Sequence, residues 1–134
     1  MTIQQITAPE TWALRHKVMW PNQSLDYIKL PKDEQGIHFG LFLHAKLHSV
    51  VSLFVTEKEA QFRKFATAQE VQGKGYGTYL LNYLIEYAKQ QDIERIWCNA
   101  RSDKTNFYQR FGLQETEHTF KKGGIDYVVM EKWE

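Results

Sequence analysis

Apolar and polar positions recur at two periods along this chain, and the switches between them mark its elements. From Gly75 to about Gln91, Tyr76, Leu80, Tyr83, Leu84, Tyr87 and Ala88 follow i, i+4, i+7 and i+8 spacing, which predicts an amphipathic helix. Leu81 and Ile85 widen its buried face. Trp12, Leu14, Val18 and Met19 predict a second helix over about Glu10–Met19, opened by Pro9-Glu10 and stopped by Pro21-Asn22. A short third helix is expected from about Lys104 to Arg110, capped by Ser102 or Asp103 and ended by Gly112.

Runs rich in Phe, Leu and Val predict strands. They are an edge strand over residues 2–7, then His38–Ala45, Val50–Thr56, Gln61–Thr67, Arg95–Ala100, Leu113–Lys121 and Ile125–Lys132. Lys46-Leu47-His48 is the expected turn of the first hairpin, although it lacks the usual Gly or Asn. Lys122-Gly123-Gly124 is a Gly-Gly hairpin signal. In Gln61–Thr67, Phe62, Lys64 and Ala66 alternate with Arg63, Phe65 and Thr67, so neither face is purely apolar. Residues 21–37 hold Pro21, Pro31, Asp33, Glu34 and Gly36, an irregular connection with one helical turn near Leu25–Leu30. Strand, long helix, strand implies a right-handed parallel crossover. The expected fold is therefore α/β: a single domain over residues 1–134, with a mixed, mostly antiparallel sheet, a central parallel β-α-β crossover and flanking helices.

Composition narrows the function. The 134 residues carry 17 basic and 16 acidic side chains, a formal net charge of +1. Nucleic-acid binders show a basic excess, so none is expected as a partner, and any anion site must be local. No apolar run approaches the ~20 residues of a membrane span. No signal peptide is visible, and a single cysteine, Cys98, suits a reducing compartment, so the expected location is the cytoplasm. Cys98 lies in a central strand and reads as an inert buried thiol. His38, His44 and His48 lack the converging partners of a zinc site, so no metal is expected. The tyrosines Tyr76, Tyr79, Tyr83 and Tyr87 read as core and boundary packing.

The chemistry concentrates in Val71-Gln72-Gly73-Lys74-Gly75-Tyr76-Gly77-Thr78, between a strand and the long helix. Glycine permits tight turns and close approach of a ligand. The first helical turn offers N–H groups without intrahelical partners and the positive end of the helix dipole, a setting for phosphate or pyrophosphate. Neither the dinucleotide fingerprint Gly-x-Gly-x-x-Gly nor the Walker pattern is present. What remains is Gln72-x-x-Gly75-x-Gly77.

That loop resembles the Gln/Arg-x-x-Gly-x-Gly/Ala loop of the GNAT family of N-acetyltransferases. The strand Phe62-Arg63-Lys64-Phe65-Ala66-Thr67 and the segment Asn106-Phe107-Tyr108-Gln109-Arg110-Phe111-Gly112-Leu113 match the same family. The likeness is close over residues 60–113 and topological over the final hairpin. It implies a GNAT fold and transfer of an acetyl group from acetyl-CoA, the cosubstrate, to a primary amine on a small molecule or peptide. It also implies site residues. The N–H groups of Gly73, Lys74, Gly75, Gly77 and Thr78 would hold pyrophosphate, with a charge-assisted contact from the Lys74 side chain, and Gln72 and Tyr76 of the same loop would be cofactor contacts. Phe65, Ala66 and Thr67 would bind pantetheine, with the Ala66 or Thr67 N–H near the thioester oxygen.

Tyr108 is the implied general acid, since a phenol and a thiol have neighbouring pKa values. Asn99 reads either as a cofactor contact or as a strand-end hydrogen bond to main chain. Arg101 and Lys104 read as solvated, with the adenosine phosphate as the alternative. Where some members carry a glutamate base this chain has Gln61, which cannot take a proton. Glu57, Glu59, His38, His44, His48 and His118 leave the base open. The acceptor wall would be about Arg15 to Gly36, including Trp20, Asp26, Asp33 and Glu34, whose acidic members could hold a cationic amine. A non-catalytic module for acyl-CoA or another phosphate ligand is the alternative function. A homodimer is compatible with the sequence.

Overall fold

The structure, a computed structural model, describes residues 1–134. Seven strands form one sheet: β1 (Thr2–Ile6), β2 (Ile37–Leu43), β3 (Lys46–Thr56), β4 (Glu59–Thr67), β5 (Arg95–Arg101), β6 (Gln114–Lys122) and β7 (Ile125–Trp133). Their order is β1-β2-β3-β4-β5-β7-β6, and every neighbouring pair is antiparallel except β4–β5. The helix α2 (Tyr76–Gln90) makes the one parallel crossover. The expected mixed sheet with a central β-α-β unit is what the chain forms.

Helices cover both faces. The helix α1 (Ala8–Met19) brings Leu14 into a cluster with Ile6, Val50, Ala66, Ala68 and Val71. On α2, Leu80, Leu81, Leu84 and Ala88 pack with Val51, Leu53, Ala60 and Phe62. Val50 and Val51 are consecutive strand residues and point to opposite faces, so the two helices do as well. Of the tyrosine stripe, Tyr83 and Tyr87 meet Phe39 edge-on at 5.4 and 5.0 Å, while Tyr79 is exposed.

Helix α1 starts two residues earlier than Glu10, because Thr7 donates from both its N–H and its hydroxyl to Glu10 Oε1 at 2.9 Å. It carries a fully buried arginine. Arg15 forms a bidentate pair with Asp33, Nη1 to Oδ2 at 2.8 Å and Nη2 to Oδ1 at 3.0 Å, and donates to Ser52 Oγ at 2.8 Å. Trp12 Nε1 and Leu30 N–H also donate to Asp33 Oδ2, at 3.1 and 3.0 Å. Residues 21–37 are thereby folded onto the sheet as two short 3-10 turns, Leu25–Ile28 and Asp33–Gln35.

The first hairpin differs from the sequence reading. It turns at His44-Ala45, both in the left-handed region (φ 50° and 65°), so Lys46, Leu47 and His48 belong to β3. Two consecutive positive φ values match the twist of a two-residue hairpin, a geometry that Asn-Gly signals and His-Ala does not. The second hairpin turns at Gly123-Gly124 as expected (φ 58° and 78°). The short third helix is a 3-10 turn, Ser102–Lys104, followed by α3 (Thr105–Gln109). Neither Ser102 nor Asp103 caps it with a side chain.

Strand β4 contains a bulge. Val50 faces Ala66 but Ser52 faces Arg63, so Lys64 and Phe65 share one place opposite Val51. Lys64 has φ 55°, the left-handed region that absorbs the extra residue. The bulge reverses the alternation. Ala60 and Phe62 face α2 before it and Phe65 does after it, while Ala66 turns to the α1 side. The mixed pattern of this strand is two clean alternations joined out of phase.

Candidate active site

Strands β4 and β5 pair only at Glu59–Arg95, Ala60–Ile96 and Gln61–Trp97. Beyond that, β5 stays paired with β7 as far as Arg101–Tyr127, whereas the bulged β4 follows β3. The strands part, and a cleft of about 450 Å³ opens between them, lined among others by Arg63, Lys64, Phe65, Cys98, Asn99 and Tyr108. Ala68 N–H donates to His48 O at 2.7 Å on the β3 side. In an antiparallel ladder the next residue back faces the other way, so Thr67 turns its N–H away from β3 and Ala66 does not. Consistently, Thr67 O accepts from Gln72 Nε2 at 2.9 Å.

The glycine loop sits at the end of that strand. Gly73 and Gly75 have φ 79° and 86°, a region costly for side chains, and a Cβ on either would meet open space. Gly77 serves another purpose. A Cβ there would lie 3.1 Å from Phe65 Cζ and 3.3 Å from Thr67 Oγ1, so its absence lets α2 start hard against β4. The first helical bond runs from Tyr79 N–H to Gly75 O at 3.1 Å. The amides from Gly73 to Thr78 therefore have no backbone acceptor. Gly73, Gly75, Tyr76, Gly77 and Thr78 border a cavity of about 510 Å³ lined also by Ala66, Thr67, Phe107 and Arg110.

Two site residues sit otherwise than expected, and a third residue joins the site. Gln72 spends its own N–H on Gln69 O (3.3 Å) and its side chain on Thr67, so it closes the loop rather than facing the cavity with a free amide. Lys74 is exposed and does not line the cavity. Arg110, which the sequence reading passed over, does line it, with its guanidinium 5.1 Å from the Phe107 ring. Phe107 in turn stacks on Phe65 at 6.1 Å. The available signal was Arg110's place one turn after Asn106-Phe107. Arg101 and Lys104 line the cleft between the strands instead.

Tyr108 is brought into the cleft by α3, with its ring 5.9 Å from Phe62 and 5.2 Å from Phe107. Burial, and then the facing Cys98, push the phenol's pKa up against a smaller opposing effect of Arg101. Burial likewise pushes the Cys98 thiol up to about 12, which makes it a protonated, inert group as expected. Asn99 also lines the cleft and is exposed there.

A second cavity of about 590 Å³ lies on the α1 side. Gln61, Arg63 and Trp97 form its floor, and Leu30, Pro31, Lys32 and Phe54 are among its walls. Arg63 lines both this cavity and the cleft, so the two adjoin at its side chain. The expected acidic wall is not there. Asp33 is 4% exposed and locked to Arg15, Asp26 pairs with Lys29 at 2.9 Å, and Glu34 lines neither cavity. Only Trp20 of that group reaches the cleft.

The histidines are no freer. Asp33 O only accepts, so His38 Nε2 donates to it at 2.8 Å and Nδ1 accepts from Ser52 Oγ at 2.7 Å. His44, His48 and His118 line neither cavity nor the loop.

One parallel pair that parts beside a helix-leading loop of free amides defines the class: this is an N-acyltransferase fold. Residues 14–133 match the family described as "Acetyltransferase (GNAT) domain". The chain belongs to that family. The uncharacterised N-acetyltransferase YitI of Bacillus subtilis is 27% identical over 142 residues, covering 98% of this chain and 95% of that one. Two solved structures share the fold. A candidate N-acetyltransferase from Lactobacillus plantarum has TM-score 0.87 at 22% identity, covering 99% of each chain. A GNAT family acetyltransferase from Elizabethkingia anophelis, with acetyl-CoA bound, has TM-score 0.77 at 18% identity, covering 98% of this chain and 97% of that one.

Proposed function

We propose that the protein moves an acetyl group from acetyl-CoA to a primary amine by direct attack of the amine on the thioester. The observation that carries this reading is the row of amides from Gly73 to Thr78 without acceptors, opening beside parted strands. Those amides and the leading end of α2 suit a doubly charged pyrophosphate, and Arg110 adds a charge-assisted contact. Phe65, Ala66 and Thr67 hold the pantetheine arm along the edge of β4 that β5 leaves unpaired. Between Ala66 and Thr67, the N–H turned toward the cleft is that of Thr67, the better donor to the thioester oxygen. Asn99 is a polar contact from the β5 side.

Acetyl-CoA supplies an activated acyl group. As the amine nitrogen bonds to the acyl carbon and the C–S bond breaks, Tyr108 gives its proton to the departing sulfur. A phenol pushed up by burial is a weaker acid than one in water. A thiolate leaving in the same cleft, out of bulk water, is shifted in the same direction as the phenol, so both partners of the proton transfer move together. The phenol recovers its proton from the acylated nitrogen through water.

Release of free thiol from acetyl-CoA against a panel of amines, with product masses measured, tests the reaction. Calorimetry with coenzyme A tests the binding step. No heat with coenzyme A would overturn the reading, and binding without thiol release from any amine would favour the non-catalytic module.

A further inference from the structure

Resting on that reading, we infer that the acceptor is an amine that also carries a carboxylate, held by Arg63 at the junction of the cleft and the second cavity. Four cations, Arg63, Lys64, Arg101 and Lys104, line the cleft, and no Asp or Glu does. The second cavity adds Lys32 and Arg95 against Glu57 and Glu59. Arg95 is already neutralised, with Nη1 on Glu59 at 2.8 Å and Nε on Glu131 at 2.7 Å. Arg63 has no ion pair in the chain, and neither has Lys64.

The proposed cosubstrate does not meet this demand. Its pyrophosphate belongs at the glycine loop with Arg110, and the pantetheine arm that crosses the cleft beside Arg63 and Lys64 is neutral. Burial, and then the charge of Arg15, lower the pKa of Arg63. Burial and then Arg63 do the same for Lys64. Lys64 is half-buried and Arg63 exposed at the cleft rim, and neither faces a carboxylate of the chain. The bulge that points Lys64 into the cleft does so at φ 55°, a strained conformation for lysine.

Arginine's planar fork suits a carboxylate taken in bidentate fashion. A polyamine would meet only like charge in the cleft, where no carboxylate faces it, which is unfavourable. The same cations depress the pKa of an ammonium bound among them. The acceptor can then enter as a neutral nucleophile although Gln61 stands where a carboxylate base would.

The test compares amino carboxylates with their own amides, and with polyamines, on the unmodified enzyme. A charge-assisted hydrogen bond predicts a kcat/KM for the carboxylate about 10- to 150-fold above its amide, declining as salt is added. Intrinsic reactivity works the other way, because the amide's amine deprotonates more easily. Arg63→Gln should abolish the preference and Arg63→Lys should keep part of it, with the coenzyme A dissociation constant unchanged in both. The inference is overturned if no carboxylate outperforms its amide, if polyamines are preferred, or if Arg63→Gln slows both forms equally. Absence of coenzyme A binding would instead overturn the underlying reading.

Discussion

Replacing Asp33 by Asn removes one charge from a pair that the fold cannot rearrange. Arg15 is 0% exposed and Asp33 4%, and the pair is bidentate at 2.8 and 3.0 Å. Asparagine keeps the size and can accept from one guanidinium nitrogen, but it leaves the arginine charge buried and unbalanced. Arg15 Nε already lacks a partner, so there is no spare acceptor to turn to. Breaking a buried pair from one side costs about 3–5 kcal/mol. Against a total stability of roughly 5–15 kcal/mol that is a large fraction, and for a chain of this size it lowers Tm by about 10–20 °C.

The functional consequence is local. Val18, Met19 and Trp20 of the α1 end line the cleft, and Leu30 to Lys32 line the second cavity. Both segments are anchored through Asp33. Just below the new Tm, the acceptor KM should rise by a larger factor than the coenzyme A dissociation constant, since Asp33 ties Leu30 directly whereas the glycine-loop cavity is reached only through Val18. Urea unfolding followed by circular dichroism gives the stability, and steady-state kinetics gives the split. A loss below about 1 kcal/mol would refute the reasoning, because it would mean the pair contributes no more than an exposed one. The double replacement Arg15→Met with Asp33→Leu should recover only part of the loss, because it removes the unbalanced charge but leaves Trp12 Nε1 and the Leu30 N–H without their acceptor. Acid provides an independent check. Burial alone would raise the Asp33 pKa, but hydrogen bonds from Arg15, Leu30 N–H and Trp12, together with the Arg15 charge, outweigh it and hold the carboxyl low. The pair's contribution is therefore present above the unfolded pKa of about 3.9 and is lost as pH falls through the lower folded value. Asp33→Asn should flatten that limb of the stability curve.

Other consequences can be measured singly. Tyr108→Phe should lower kcat by about 100-fold or more and leave the coenzyme A dissociation constant within twofold, by single-turnover kinetics and calorimetry; unchanged turnover would remove Tyr108 from the reaction. Arg110→Gln should weaken coenzyme A binding by about 10-fold and reduce its salt dependence, measured by titration at several ionic strengths. Gln72→Ala removes the 2.9 Å tie to Thr67 O and should weaken coenzyme A binding by about 2- to 10-fold, with little change in Tm. Cys98, raised to about 12, should resist iodoacetamide at pH 8 in the folded protein and react once it is unfolded, as mass spectrometry would read.

Much of this was legible in the order of residues. The 3.6-residue period of Tyr76–Ala88, the glycines before it and the strand on either side predict a parallel crossover and an anion site with no long-range information. These are local properties, set by backbone freedom at Gly73 and Gly75 and by helix geometry. The second hairpin was equally readable because Gly123-Gly124 states its own φ values. The first was not, since His44-Ala45 adopts the same turn without a residue that prefers it, so the strands around it set the turn.

The tertiary structure decided everything that depends on which side a residue faces. Asp33 and Asp26 look alike in the sequence, yet one is sealed under α1 by Arg15 and the other pairs with Lys29 at the surface. A single extra residue at Lys64-Phe65 reverses the alternation of β4, and no count of apolar positions locates a bulge. Arg110 reaches the glycine loop and Arg101 the cleft although both lie on the same short connection. The residue types in one stretch determine which backbone conformations are available to it. The charge and depth of the site come from side chains far apart in sequence, brought together by which strand β5 keeps as a partner and which it lets go.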